Sequence, residues 1–146
     1  MQLILQRVTS ASVAVGSEVV GRIGFGLLVF VAVEIDDTSS LVAAAARKLG
    51  SLRVFDDSKG QMNLDAHQAG AAFLIVSQFT LAASLGRGRR PSFERAAEPT
   101  VARRHIDALA AHLASDGFHV ERGRFGARMD VSLVNHGPVT FHLALP

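Results

Sequence analysis

Cysteine is absent from the 146 residues, which removes disulfides, zinc–thiolate sites and thiol nucleophiles together. Lysine is nearly absent as well. Lys48 and Lys59 are the only two, so arginine carries the remaining side-chain positive charge. A formal net charge of +2 beside a sequence pI of about 9.9 follows from that choice, and it does not by itself mark a nucleic-acid binder. Long apolar runs are missing too. The longest, Leu27–Val33, falls far short of the ~18 residues that span a bilayer. Met1–Val8 has no basic lead and no small-residue cleavage site after it. A soluble cytoplasmic protein without a membrane segment is therefore expected. What is present is ample apolar content, 49% hydrophobic against 19% charged, which excludes disorder as the main state. The length suits one domain over residues 1–146.

The first third reads as strands. Leu3, Leu5 and Arg7 alternate with Ile4, Gln6 and Val8, a strand covered on both sides at its start, and Ser12–Val15 and Glu18–Ile23 flank Gly16-Ser17, a two-residue hairpin signal. Leu27–Val33 predicts a buried central strand. From Asp36 the period changes: Leu41, Val42, Ala45, Ala46 and Leu49 repeat at helical spacing, with N-cap candidates among Asp36–Ser40 and Gly50 as a stop. Leu52–Phe55 predicts a strand, Asp65–Gly70 a weakly structured stretch, and Ala72–Leu81 a second apolar strand. A helix over about 100–115 has Pro99 at its first turn and an apolar face of Val101, Ile106, Leu109, Ala110 and Leu113. Phe118–Glu121, Met129–Asn135 and Val139–Leu145 complete the strands, the last two as a closing hairpin. The fold class is α+β, mixed: antiparallel-rich sheet layers forming a sandwich or partial barrel, with two helices packed on one side.

Three constellations and a set of arginine groups bear on chemistry. The six histidines have no metal-ligand spacing; His105 and His112 stand seven apart where four is wanted, so no metal and no cofactor are expected. Ser77-Gln78-Phe79-Thr80-Leu81 ends an apolar strand in a hydroxyl, an amide and main-chain donors that suit a carbonyl or its oxyanion. A strand merely finishing in polar residues reads the same way. By alternation Ser77 and Phe79 point one way, Gln78 and Thr80 the other. Asn135-His136-Gly137-Pro138-Val139-Thr140 carries a Gly-Pro step that reads as a turn, ordinary or ligand-facing, in which a cis bond is accessible. Arginines gather at Arg87, Arg89 and Arg90, at Arg103-Arg104, and at Arg122, Arg124 and Arg128. Guanidinium forks suit phosphate oxygens, and a solvated basic loop is the plain alternative.

Together these segments resemble the D-aminoacyl-tRNA deacylase family. The signatures are SQFTL at Ser77–Leu81 and N-x-G-P-x-T at Asn135–Thr140. Leu5-Gln6-Arg7-Val8, Arg53–Asp57 with Met62-Asn63, Arg90-Pro91-Ser92-Phe93, and Phe125-Gly126-Ala127 with Met129 follow in the family's order. The resemblance covers essentially the whole chain. It implies hydrolysis of the ester joining a D-amino acid, or mischarged glycine, to the 3′-terminal adenosine of tRNA, a chiral proofreading step. It implies a homodimer in which each Gly137-Pro138 step reaches the partner's site and excludes L side chains with main-chain atoms. Ser77, Gln78, Phe79 and Thr80 become the catalytic segment. Met129, Phe125, Asn135 and Arg7 line or brace the site, and Arg87, Arg89 and Arg90 face tRNA.

Two mechanisms remain open at this level: Thr80 as nucleophile, or a reaction assisted by the tRNA 2′-OH with main-chain donors at Phe79-Thr80 holding the oxyanion. No activating base for Thr80 is visible in the sequence, which favours the second. Arginine stands at 89 and 128, and His136 at a position where the family often has an acid; each change adds or permits positive charge. A tRNA-binding module without turnover and a general small-molecule esterase are the competing classes.

Overall fold

The computed structural model describes residues 1–86 and 89–146. Its backbone is β1 (Gln2–Val15), a 14-residue strand with three neighbours. The first half pairs antiparallel with β3 (Gly26–Ala32), the second with β2 (Glu18–Ile23), and β8 (Asp130–Ala144) runs antiparallel along its other edge. From β3 the sheet continues through β6 (Ala72–Ser77) to β7 (Val120–Arg122), and both of those pairings are parallel. A small second sheet pairs β4 (Phe55–Asp56) with β5 (Met62–Leu64).

Alternation along β3 and β6 builds two cores. Leu27, Val29, Phe73 and Ile75 face α1 (Ser39–Ser51) and α3 (Pro99–Ser115), joining Leu49, Leu109 and Leu113. Leu28, Leu74 and Val76 face the opposite way, against Val8, Val13 and Ile23. That second core is enclosed because β2 curls over toward β6 and β7, which makes the sheet a partial barrel. Burial on both faces explains why β3 and β6 read as continuous apolar runs.

The helix boundaries follow ordinary capping chemistry. The Thr38 hydroxyl accepts from the Leu41 N–H at 3.2 Å to start α1, and Pro99 occupies the first turn of α3. Gly50 does not stop α1. It lies within the helix, where a Cβ would come within 2.9 Å of the Phe118 ring, so the residue is needed for packing and not for a cap. Asp65–Gly70 is also more ordered than expected: Asp65 and Gln68 form a reciprocal capping box that starts a third helix, α2 (Ala66–Ala69).

Two further differences matter for the site. The expected strand Ala72–Leu81 ends at Ser77, and Phe79–Ala82 forms a 3-10 turn. The period-two argument placing Ser77 with Phe79, and Gln78 with Thr80, therefore does not apply beyond Ser77. The expected closing hairpin is a single strand, β8, which passes through Gly137-Pro138 without reversing. Among the described residues no helix is long and apolar enough to cross a membrane.

Candidate active site

The parallel pairing of β3 and β6 brings Val31 beside Ser77, and the Gln78 N–H donates to the Val31 carbonyl at 2.8 Å. The chain leaves the sheet here. Main-chain bonds from Ala97 to Val33 and from Ile35 to Arg95, both 3.0 Å, lay residues 95–97 across the strand ends as a roof. Beneath it lies a cavity of about 550 Å³, a size that takes a small-molecule or nucleoside fragment. Ser77, Gln78 and Phe79 form one wall, and Phe125 and Met129 another, with aliphatic side chains between. Five of the sequence-predicted site residues therefore meet in one apolar hollow.

Thr80 stands just outside that lining. Its hydroxyl is exposed and accepts a hydrogen bond from the Gln78 side-chain amide. Among the described residues no acid, base or second hydroxyl reaches it. The first main-chain bond of the turn runs from the Leu81 N–H to the Gln78 carbonyl at 3.2 Å. A 3-10 turn that starts this way leaves the N–H groups of Phe79 and Thr80 without a partner inside the turn. Phe79 is 58% exposed and packs on Phe93 with ring centroids 5.0 Å apart. Main-chain donors free of a partner within such a turn can stabilise a developing oxyanion without any ionisable side chain.

The remaining predicted residues gather elsewhere. Opposite Arg7, β8 carries extra residues: Asn135 pairs with Val8 and Thr140 with Gln6, so residues 136–139 bulge out of the ladder. The Gly137-Pro138 bond is cis. Gly137 has φ +131°, and a Cβ there would meet Val139 at 2.6 Å and the Arg7 guanidinium at 3.1 Å. Arg7 is 4% exposed. It donates to the His136 carbonyl at 3.1 Å, to the Val54 carbonyl at 2.9 Å and to the Asp56 carboxylate at 2.9 Å. Asn135 closes the other side, its amide donating to the Arg7 and Val139 carbonyls, each at 3.0 Å. The bulge is thus held at both ends, while residues 136–138 face outward. None of Arg7, Asn135, Gly137 or Pro138 lines this chain's own cavity.

Arg89 and Arg90 are exposed on the loop closed by the Ser84–Ser92 bridge. Arg87 lies outside the described residues. Sequence reasoning missed the roof residues Ala96 and Ala97, which have no chemical signal of their own. It also missed the anchors Val54 and Asp56, which lie within the Arg53–Asp57 segment that carries the resemblance. Among the described residues no three His, Asp or Glu side chains gather around a common point.

Residues 4–144 match the family described as D-Tyr-tRNA(Tyr) deacylase. The chain belongs to that family. It is therefore a member of a hydrolase family, and curated relatives agree over nearly full length. D-aminoacyl-tRNA deacylase of Shewanella denitrificans is 51% identical over 98% of this chain and 99% of its own. The proteins of the same name from Dinoroseobacter shibae and Bacillus licheniformis are 52% and 50% identical, covering 96% and 97% of this chain and 97% and 96% of theirs. Among solved structures, the c-Myc DNA Unwinding Element Binding Protein superposes with a TM-score of 0.94 at 34% identity, covering 100% of this chain and 99% of that one. A probable eukaryotic D-amino acid tRNA deacylase shares the deacylase fold at a TM-score of 0.86 and 18% identity, with 97% of each chain covered.

Proposed function

We propose that this protein hydrolyses the ester between a D-amino acid and the 3′-terminal adenosine of tRNA, in the cytoplasm, as a chiral proofreading enzyme that also clears mischarged glycine. The observation that carries the reading is the turn after Ser77, whose first N–H groups have no partner within the turn and which stands at the rim of an apolar cavity of nucleoside size. Relatives about half identical over nearly the whole chain support the substrate class.

In this mechanism the terminal adenosine enters the cavity and the ester carbonyl rests against the N–H groups of Phe79 and Thr80. Water adds to the carbonyl carbon, and the oxyanion is held by those two donors. Collapse breaks the bond to the ribose 3′ oxygen, which takes a proton relayed by the neighbouring 2′-OH, and the free amino acid leaves. Gln78 orients the Thr80 hydroxyl; Ser77, Phe125 and Met129 position the nucleoside. An aminoacyl ester is labile enough for positioning and oxyanion binding to suffice.

Stereochemical choice comes from a second copy. Gly137 and Pro138 lie outside the cavity of their own chain, on an outward bulge clamped by Arg7 and Asn135. In a homodimer, the partner subunit's Gly137 and Pro138 face the substrate α-carbon with main-chain atoms, leaving space for hydrogen but not for an L side chain. Rejection by fixed backbone is independent of side-chain identity. Arg89, Arg90 and Arg87 contact the tRNA backbone.

Incubation with D-aminoacyl-tRNA, L-aminoacyl-tRNA and a simple amino-acid ester separates the classes. Release from the D form alone is expected. Binding without release would make the protein a tRNA-binding module, and turnover of the simple ester at a comparable rate would make it a general esterase.

A further inference from the structure

A second, smaller cavity of about 240 Å³ opens beside the first and shares Ser77, Ile106 and Phe125 with it as a common wall. Its character is different. Arg103, Arg122 and Arg124 line it, with Asp107 as the one carboxylate among the lining residues. Two of the three guanidinium groups already have acidic partners: Arg122 bonds Asp107 at 2.8 Å and Arg124 bonds Glu18 at 3.0 Å. Both pairs are about half exposed. Exposed pairs are weak, and their arginines exchange partners readily for a better acceptor.

Arg103 is the third. Among the described residues it has no carboxylate partner. Its Cζ sits 5.3 Å from the centre of the Phe125 ring, and its only hydrogen bond among the described residues is a long one, 3.5 Å, to the Phe125 carbonyl. The aromatic face pins the guanidinium at the wall between the two cavities and leaves most of its N–H fork unused. An unsatisfied planar fork in a pocket of net positive charge matches the paired oxygens of a phosphodiester.

The two cavities together match a nucleotide continued in one direction. A nucleoside in the larger, apolar cavity carries its chain onward through the 5′ phosphate, and the polar cavity adjoins it across Ser77 and Phe125. We propose that the smaller cavity is the subsite for the phosphodiester 5′ to the terminal adenosine, with Arg103 as its anchoring cation and Arg122 and Arg124 flanking it. This rests on the deacylase reading above. It assigns tRNA contact to the α3 face rather than to the 84–92 loop alone.

The test compares D-aminoacyl-tRNA with 3′-O-(D-aminoacyl)adenosine, which lacks the phosphate, for the wild type, Arg103→Gln and Arg103→Lys over a salt series. Arg103 is exposed, so the replacements leave the core intact. On the tRNA substrate Arg103→Gln is expected to raise KM by about tenfold with little change in kcat. It should also flatten the dependence of log kcat/KM on log salt by about 0.7, the loss of one contact to a single strand. Arg103→Lys should restore the salt slope. The rise in KM on the adenosine substrate should be several times smaller. An equal rise on both substrates, or an unchanged salt slope, would overturn the subsite while leaving the deacylase reading in place. Failure of the wild type to hydrolyse either substrate would overturn both.

Discussion

Thr80 accepts a hydrogen bond from Gln78 and, among the described residues, has no charged hydrogen-bond partner. A nucleophilic hydroxyl needs a base to take its proton, and removing a true nucleophile typically costs ~10⁴–10⁶ in rate. With the main-chain donors intact, Thr80→Ala is expected to lower kcat on D-aminoacyl-tRNA by no more than about a hundredfold. Single-turnover kinetics checks this, and a loss beyond ~10⁴ with unchanged circular dichroism would restore Thr80 to the nucleophile's role. At this scale much of the site was legible: Ser77, Gln78, Phe79, Phe125 and Met129 do meet. Which way each side chain points was not. Alternation holds only while a strand lasts, and β6 stops at Ser77, after which Phe79–Ala82 wind into a 3-10 turn.

At the scale of the element, β8 is the informative case. Gly-Pro between two strand-like runs satisfies every local rule for a reversal, yet the chain continues straight because both halves pair with β1. A long-range partner decided the outcome, and local turn chemistry carries no record of it. The bulge depends instead on side chains reaching back to the main chain. Asn135→Ala leaves the Arg7 and Val139 carbonyls without their donor, a loss expected to cost about 1–3 kcal/mol. Urea denaturation should show a lower midpoint at unchanged slope, whereas a wild-type midpoint would mean that Arg7 alone holds the bulge. Caps were easier to read. Thr38 and Pro99 stand where sequence rules put them, whereas the Asp65–Gln68 capping box starts a helix too short to show a period and so escaped the reading of Asp65–Gly70.

For the whole molecule, composition and the two apolar runs suffice to give an α+β class with buried central strands. They do not reveal that β3, β6 and β7 run parallel, because strand direction depends on how the connecting helices cross. One long-range electrostatic knot ties these pieces together. The Met1 ammonium bonds Glu34 at 2.9 Å and Asp37 at 2.7 Å, Gln2 bonds Glu34 at 2.9 Å, and Arg95 from the cavity roof lies 2.7 Å from the same carboxylate. Burial pushes the Glu34 carboxyl up. The hydrogen bonds from the Met1 ammonium and Gln2, with the attraction of that ammonium and Arg95, outweigh it and hold the group below its ordinary value. A lowered value means that the unfolded chain takes up the proton first. The stabilisation is therefore complete above the ordinary carboxylate range, about pH 4.3, and is lost as pH falls through the folded value. Tm should decline on acidification through that window. Glu34→Gln should lower Tm at neutral pH and flatten the acid limb; an acid limb identical to the wild type would exclude Glu34 as its source.

The Gly137-Pro138 bulge also bears on what β8 does not become. Among the described residues β8 is paired on one side only, so a 15-residue strand presents its outer edge to solvent, with Val134 and Phe141 partly exposed on it. An uninterrupted edge of that length is a template for indefinite strand addition and fibril growth. Proline offers no N–H, and the four-residue excursion that contains it breaks the repeat of donors and acceptors into two short, unaligned stretches. The same interruption that sets the Gly-Pro step outward thus protects the molecule from aggregating along the outer edge of β8.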